Sequence, residues 1–371
     1  MLGLIVNPVA GLGGRVGLKG SDGAEIQRRA RMLGAQPPAP ARAEAALKRL
    51  LPLLGDLEIV TYPGEMGEDV ARRTGFEPTV MGRITSGTTT AEDTLAAARE
   101  MSRHGVSLIL FAGGDGTARD LVRAVRESSP VLGIPTGVKI LSGAFATTPL
   151  AAGELARRFI EGTVTSLREV EVLDLDEDAY RAGRVSPHLY GYLRVPFERR
   201  MLQACKSPSG PDERGTLQAI AADIIDHMEA DVAYIIGPGT TTRPILTLLG
   251  LQKTLVGVDV VRNRSLLLGD ANEAMLLDLL KICTGKIVVT PVGGQGYLFG
   301  RGNQQISPAV VQAVGIDNIL VVSTPEKIHA LRGRPLLVDS GDDETDRRLS
   351  GYVHVVTGYR ERTVYRVASS P

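Results

Sequence analysis

The 371-residue chain has no tryptophan, and tyrosine and phenylalanine together contribute only 15 residues. With no basic amphipathic stretch beside them, so few aromatics argue against a membrane-recruiting anchor. Cysteine is nearly absent as well. Cys205 and Cys283 lie far apart without C-x-x-C spacing, which argues against a disulfide framework or a zinc ribbon and makes a reducing cytosol the simpler setting. Net charge is missing too: 42 Lys and Arg balance 42 Asp and Glu, so no sequence-wide basic field exists to hold nucleic acid or an anionic membrane. Any anionic ligand has to be held locally. No apolar run approaches the roughly 18 residues of a membrane helix. Met1 to Val6 has no basic leader and gives way to Asn7-Pro8, so it reads as a first strand rather than a signal peptide. The expectation is a cytoplasmic protein of two domains, at roughly 150 residues per domain.

Glycine is what the chain has in excess, 43 residues or about 12% against a usual share of roughly 7%. It is concentrated in short clusters that follow apolar runs. Over residues 1–165, compact apolar runs (Leu4 to Val6, Leu57 to Thr61, Val106 to Ala112, Val131 to Ile134) alternate with helical patterns at Asp22 to Leu33 and Ala41 to Leu51. That alternation predicts an open parallel sheet with crossover helices. Pro37-Pro38-Ala39-Pro40 reads as a rigid loop between the two helices. From Val164 to Val195 two strand-like runs joined by a charged turn suggest a hairpin or a crossing, with the boundary placed near residue 165. Beyond it, residues 217–228 read as an amphipathic helix. Strands are expected at 232–236, 255–261, 287–290, 319–323, 352–357 and 363–367, so the second domain (166–371) reads as α/β shading into β-rich.

Three glycine-bearing segments carry the chemistry. Gly113-Gly114-Asp115-Gly116-Thr117 follows one apolar strand and precedes a helix with Ala118, Leu121, Val122 and Val125 on one face. Glycines let backbone N–H groups turn around phosphate oxygens, and a helix start adds unpaired donors and partial positive charge. Thr117 and Asp120 have capping-box spacing, which would leave Asp115 in the loop at the carboxyl end of the strand. There a carboxylate can accept a proton from an attacking hydroxyl or hold Mg²⁺, directly or indirectly. A second cluster, with Gly11, Gly13, Gly14, Gly17 and then Lys19-Gly20, follows Asn7 at the end of the first strand. Strands one and four of a doubly wound sheet can set two such loops side by side. The third segment runs from Gly133 through Thr136 and Gly137 to Lys139, a compact counter-charge for phosphate.

Together Asn7-Pro8-x-x-Gly, the G-G-D-G-T box and the Gly133 to Lys139 segment resemble the ATP-NAD kinase family, and more narrowly its AcoX-type branch. The box is shared with diacylglycerol and sphingosine kinases. The resemblance implies a site in the cleft between two domains, a homo-oligomer, Mg²⁺ with ATP or polyphosphate as donor, and transfer to the 2'-hydroxyl of the adenosine ribose of NAD, giving NADP. It further implies that Asp115 is the acid near that hydroxyl. Gly113, Gly114, Gly116 and Thr117 would form the phosphate turn, and Asn7 would be the asparagine closing the first strand. Family members also have an Asn-Glu pair soon after the box. Here the Asn-Glu pair is Asn272-Glu273, far downstream, and it is not carried over. Two rival functions share these features: a lipid kinase, and a nucleotide- or NAD-binding accessory protein without transfer.

Other candidates are weaker. Asp174, Asp176 and Asp178 imitate the start of a calcium loop, but Ala179 and Val185 stand where glycine and glutamate are needed. The five histidines lack metal spacing. The loops Gly237 to Arg243 and Gly293 to Gly296 are evenly balanced between ligand binding and simple turns.

Overall fold

The computed structural model describes residues 1–18, 23–125, 128–137, 140–175, 187–198, 201–202, 214–254, 256–292 and 295–369. Packing divides the chain into two units. The first holds Met1–Leu12 and Gly20–Cys205, and the second Gly13–Lys19 and Lys206–Ser370.

In the first unit the elements are β1 (Leu2–Val6), α1 (Ala24–Met32), α2 (Ala39–Lys48), β2 (Ile59–Thr61), α3 (Glu68–Arg73), β3 (Thr79–Val80), α4 (Ala91–His104), β4 (Leu108–Gly113), α5 (Asp115–Val125), β5 (Val131–Pro135), α6 (Pro149–Ile160), β6 (Leu167–Leu175) and β7 (Pro187–Pro196). Five strands make a parallel sheet in the order β3-β2-β1-β4-β5. All residues of β1, β4 and β5 are buried, as expected for strands covered on both faces. Strands β6 and β7 pair antiparallel, the hairpin of the two alternatives rather than a crossing between domains, and by packing they belong to this unit. The unit therefore extends past residue 165. Pro40 does not interrupt a helix: α2 begins at Ala39 and takes Pro40 into its first turn, where a missing N–H removes no bond. Helix α4 carries a Thr90/Asp93 capping box and ends at Gly105 in the left-handed region.

The second unit contains α7 (Arg214–Asp226), β8 (Ala233–Ile236), α8 (Arg243–Leu248), β9 (Asp259–Arg262), β10 (Ser265–Leu268), α9 (Glu273–Leu280), β11 (Gly285–Val289), β12 (Tyr297–Phe299), α10 (Pro308–Val314), β13 (Ile319–Val322), α11 (Pro325–Ala330), β14 (Leu336–Val338), α12 (Asp343–Leu349), β15 (Gly351–Gly358) and β16 (Glu361–Ser369). Its nine-stranded mixed sheet has the order β10-β9-β8-β11-β13-β15-β16-β14-β12. The central four, β8, β11, β13 and β15, are parallel. Alternate residues serve opposite faces. Tyr234, Ile236, Val288 and Val322 pack with α7 and α8. Ile235, Ile287, Val289 and Val321 pack with α9 and α10. The strand expected at 255–261 begins only at Asp259, and Leu255 lies outside the described residues.

Candidate functional site

In the first unit the chain leaves β1 toward β2 and leaves β4 toward β5, in opposite directions across the sheet. Strands β1 and β4 are direct neighbours, so their carboxyl ends flank the point where an open α/β sheet leaves room for a ligand. Three turns meet there. Asn7 N–H donates to the Ala112 carbonyl at 2.9 Å, and Asn7 Nδ2 donates to Thr117 Oγ1 at 3.0 Å. Asn7 Oδ1 accepts the Val9 N–H at 3.2 Å, which holds the amide in that orientation. Gly11 has φ +79, and a Cβ on it would lie 2.2 Å from the Thr136 carbonyl oxygen. A Cβ on Gly114 would meet the Gly137 Cα at 3.3 Å. Thr136 N–H donates to the Gly113 carbonyl at 3.0 Å. The glycines are thus what permits the turns after β1, β4 and β5 to touch.

Asp115 is the first residue of α5 rather than a loop residue before it. Thr117 lies inside the first turn, and its hydroxyl accepts from Asn7 instead of starting a capping box. The Asp115 carboxylate is fixed by a distant segment: Oδ2 accepts the Leu141 N–H at 2.7 Å and Oδ1 the Ser142 N–H at 3.0 Å. Ser142 Oγ in turn donates to the Leu173 carbonyl on β6 at 2.9 Å. Asp115 is 7% exposed. Burial pushes its carboxyl up to about 7, against the opposing pull of the Ser142 and Leu141 hydrogen bonds and with a smaller push from Asp174. Asp174 itself pairs with Arg119 at 2.9 Å. The Thr136 hydroxyl is buried and has no hydrogen-bond partner among the described residues. A buried hydroxyl without a partner and a carboxyl raised toward neutrality are the marks of a candidate site.

Residues 2–164 match the ATP-NAD kinase N-terminal domain, and residues 229–367 the ATP-NAD kinase C-terminal domain. The chain belongs to the ATP-NAD kinase family. Members of that family are generally phosphotransferases. No curated protein matches the chain in sequence. Two solved structures of a "putative diacylglycerol kinase" from Bacillus anthracis str. Sterne are similar at 16% and 17% identity, each with a TM-score of 0.26. The matches cover 47% of this chain and 45% and 43% of those chains, so this chain spans less than half the length of either.

Within this kinase-family frame the remaining candidates separate. Lys139 lies outside the described residues, as do Lys19, Gly20, Asp176, Asp178, Cys205, Gly293 and Gly294. Gly116 follows Asp115 in the first turn of α5. Gly13 and Gly14 group with the second unit, where the Arg15 carbonyl accepts the Glu273 N–H at 3.3 Å. Asn272 caps α9 by accepting the Met275 N–H at 3.0 Å, a structural task for the Asn-Glu pair. No cluster of three His, Cys, Asp or Glu able to hold a metal exists among the described residues. Each Asp115 oxygen accepts one backbone N–H, which leaves a further lone pair on each oxygen. No helix among the described residues is long and apolar enough to cross a membrane. The backbone donors of Leu141 and Ser142 escaped the sequence reading because no motif surrounds them. Arg42, whose Nη1 donates to the Pro135 carbonyl at 2.9 Å, escaped it because it lies on a distant helix.

Proposed function

We propose that this protein is a phosphotransferase that moves a phosphoryl group from a nucleoside triphosphate, or from polyphosphate, to the 2'-hydroxyl of the adenosine ribose of NAD, giving NADP. The observation that carries this reading is the Asp115 carboxyl, buried at the start of α5 and titrating near 7. A base poised near the working pH loses little to protonation and still takes a proton effectively. Family membership supports phosphoryl transfer, and the G-G-D-G-T turn supports a polyphosphate donor.

In this reading the N–H groups at the start of α5 and the glycine turns bind and orient the donor phosphates. Thr136 offers its free hydroxyl to the same groups. Asp115 accepts the proton of the attacking hydroxyl while the Leu141 and Ser142 N–H groups hold the carboxylate in place. Mg²⁺ enters as part of the nucleotide substrate. Catalysis is mainly positioning and charge stabilisation.

The test is incubation with Mg²⁺, each donor and a panel of hydroxyl acceptors, with products identified by mass. NADP is the expected product. Phosphorylation of a different acceptor would overturn NAD while leaving the reaction class intact. Asp115→Asn, with folding checked by circular dichroism, should lower kcat by about 10² to 10⁴ with KM for the donor little changed. Unaltered turnover would remove Asp115 from the mechanism.

A further inference from the structure

The second unit contains a switch point of its own. From β8 the chain departs to α8, which packs on one face of the sheet. From β11 it runs by way of the edge strand β12 to α10, which packs on the other. Neighbouring parallel strands whose connections leave to opposite faces open a crevice at their carboxyl ends, where ligands of such sheets bind. The residues there are Gly237 to Thr242 after β8, Thr290 after β11, and Ser323, Thr324 and Lys327 after β13. The loops touch: a Cβ on Gly239 would lie 2.7 Å from Thr290 Cγ2.

Polar groups collect at this edge. Lys327 Nζ donates to Thr241 Oγ1 at 2.7 Å. Lys327 follows β13 and Thr241 follows β8, so the ammonium reaches across the end of β11, which lies between those strands. At that end stands Thr290, 8% exposed, with its hydroxyl lacking any partner among the described residues. Thr241 and Thr242 are fully buried, and Thr242 Oγ1 donates to the Gly237 carbonyl at 2.7 Å. Thr241 accepts from Lys327 and so keeps its own proton to donate. Residues 237–242, 290–292 and 323–325 include no Asp or Glu, and the acid between Thr324 and Lys327, Glu326, is exposed.

We infer that this edge of the second unit is a binding site for a phosphate-class oxyanion, such as the phosphate of a small-molecule phosphoester. An ammonium and two hydroxyl protons from three separate loops suit a tetrahedral anion with oxygens pointing in several directions. A planar carboxylate is better served by the two-pronged fork of an arginine. The site is made of second-unit residues, and it stands whether or not NAD is the acceptor in the reaction proposed above.

Titration of the full-length protein with inorganic phosphate, followed by calorimetry, tests this. Lys327→Met and Thr290→Val should each weaken phosphate binding by about ten-fold or more, the size expected when a charged or hydroxyl donor is lost. Thr117→Val, in the first-unit phosphate turn, should leave the part of that binding lost in the second-unit variants intact. Thr290→Val has a second readout: removing an unsatisfied buried hydroxyl should raise the thermal midpoint of the ligand-free protein while weakening phosphate binding. Phosphate binding unaffected by both second-unit variants, loss with Thr117→Val alone, no phosphate binding to the unaltered protein, or acetate binding as tightly as phosphate would each overturn the inference.

Discussion

Asp115 is subject to two opposing forces. Loss of water disfavours its charge, while two backbone N–H groups favour it, and burial prevails, leaving the carboxyl near 7 against an ordinary 3.8. Between those values the folded protein binds a proton that the unfolded chain does not. Its stability is therefore greatest on the acid side, declines as pH rises through this window, and levels off above it. The span is on the order of 4 kcal/mol at 1.36 kcal/mol per unit. Asp115→Asn removes the titration. In urea melts at pH 4 and pH 8, the variant should gain stability relative to the unaltered protein at the higher pH by an amount of this order. A pH-independent difference would show that the carboxyl is not perturbed. Activity should follow the opposite trend: kcat/KM should rise as pH approaches 7 from below, because proton abstraction needs the ionised form.

At the scale of elements, the turns after β1, β4 and β5 depend on backbones coming closer than a side chain allows. Gly11 and Gly34 separate the two contributions. Both have positive φ, +79 and +78, but a Cβ on Gly34 meets nothing within 4 Å, whereas on Gly11 it strikes the Thr136 carbonyl. Gly34→Ala should cost roughly 1 to 2 kcal/mol, the conformational term alone. Gly11→Ala should cost about 1 to 3 kcal/mol more from overpacking, as measured by urea unfolding. Equal losses would mean the Gly11 turn relaxes freely. The same distinction explains what the sequence disclosed. Glycine clusters after apolar runs are local signals, so β1, β4, β5 and the adjacency of their turns were legible. The hydrogen bonds from Leu141 and Ser142 to Asp115 cross 26 and 27 positions, beyond the reach of local spacing, and α5 starts at Asp115, ahead of Thr117, where capping-box spacing had put it. Pro40 was misread for the converse reason: its helical role depends on where the first turn begins.

At the scale of the molecule, 42 positive and 42 negative side chains leave no overall field. Nucleotide recognition in the proposed reaction then rests on short-range donors, which salt screens poorly. Raising added salt from about 50 to 300 mM should change the KM for nucleotide by less than about threefold. A steep decline in apparent affinity would indicate a charged surface that the composition does not reveal.

The chain passes from the first unit to the second after Leu12 and returns by Gly20. During synthesis, the Glu273 N–H that the Arg15 carbonyl accepts is made more than 250 residues after Arg15 itself. At about 5 to 20 residues per second, that is a wait of roughly 13 to 50 s. The nascent glycine segment therefore remains without this partner throughout that interval, and neither unit is drawn from a single contiguous stretch of sequence.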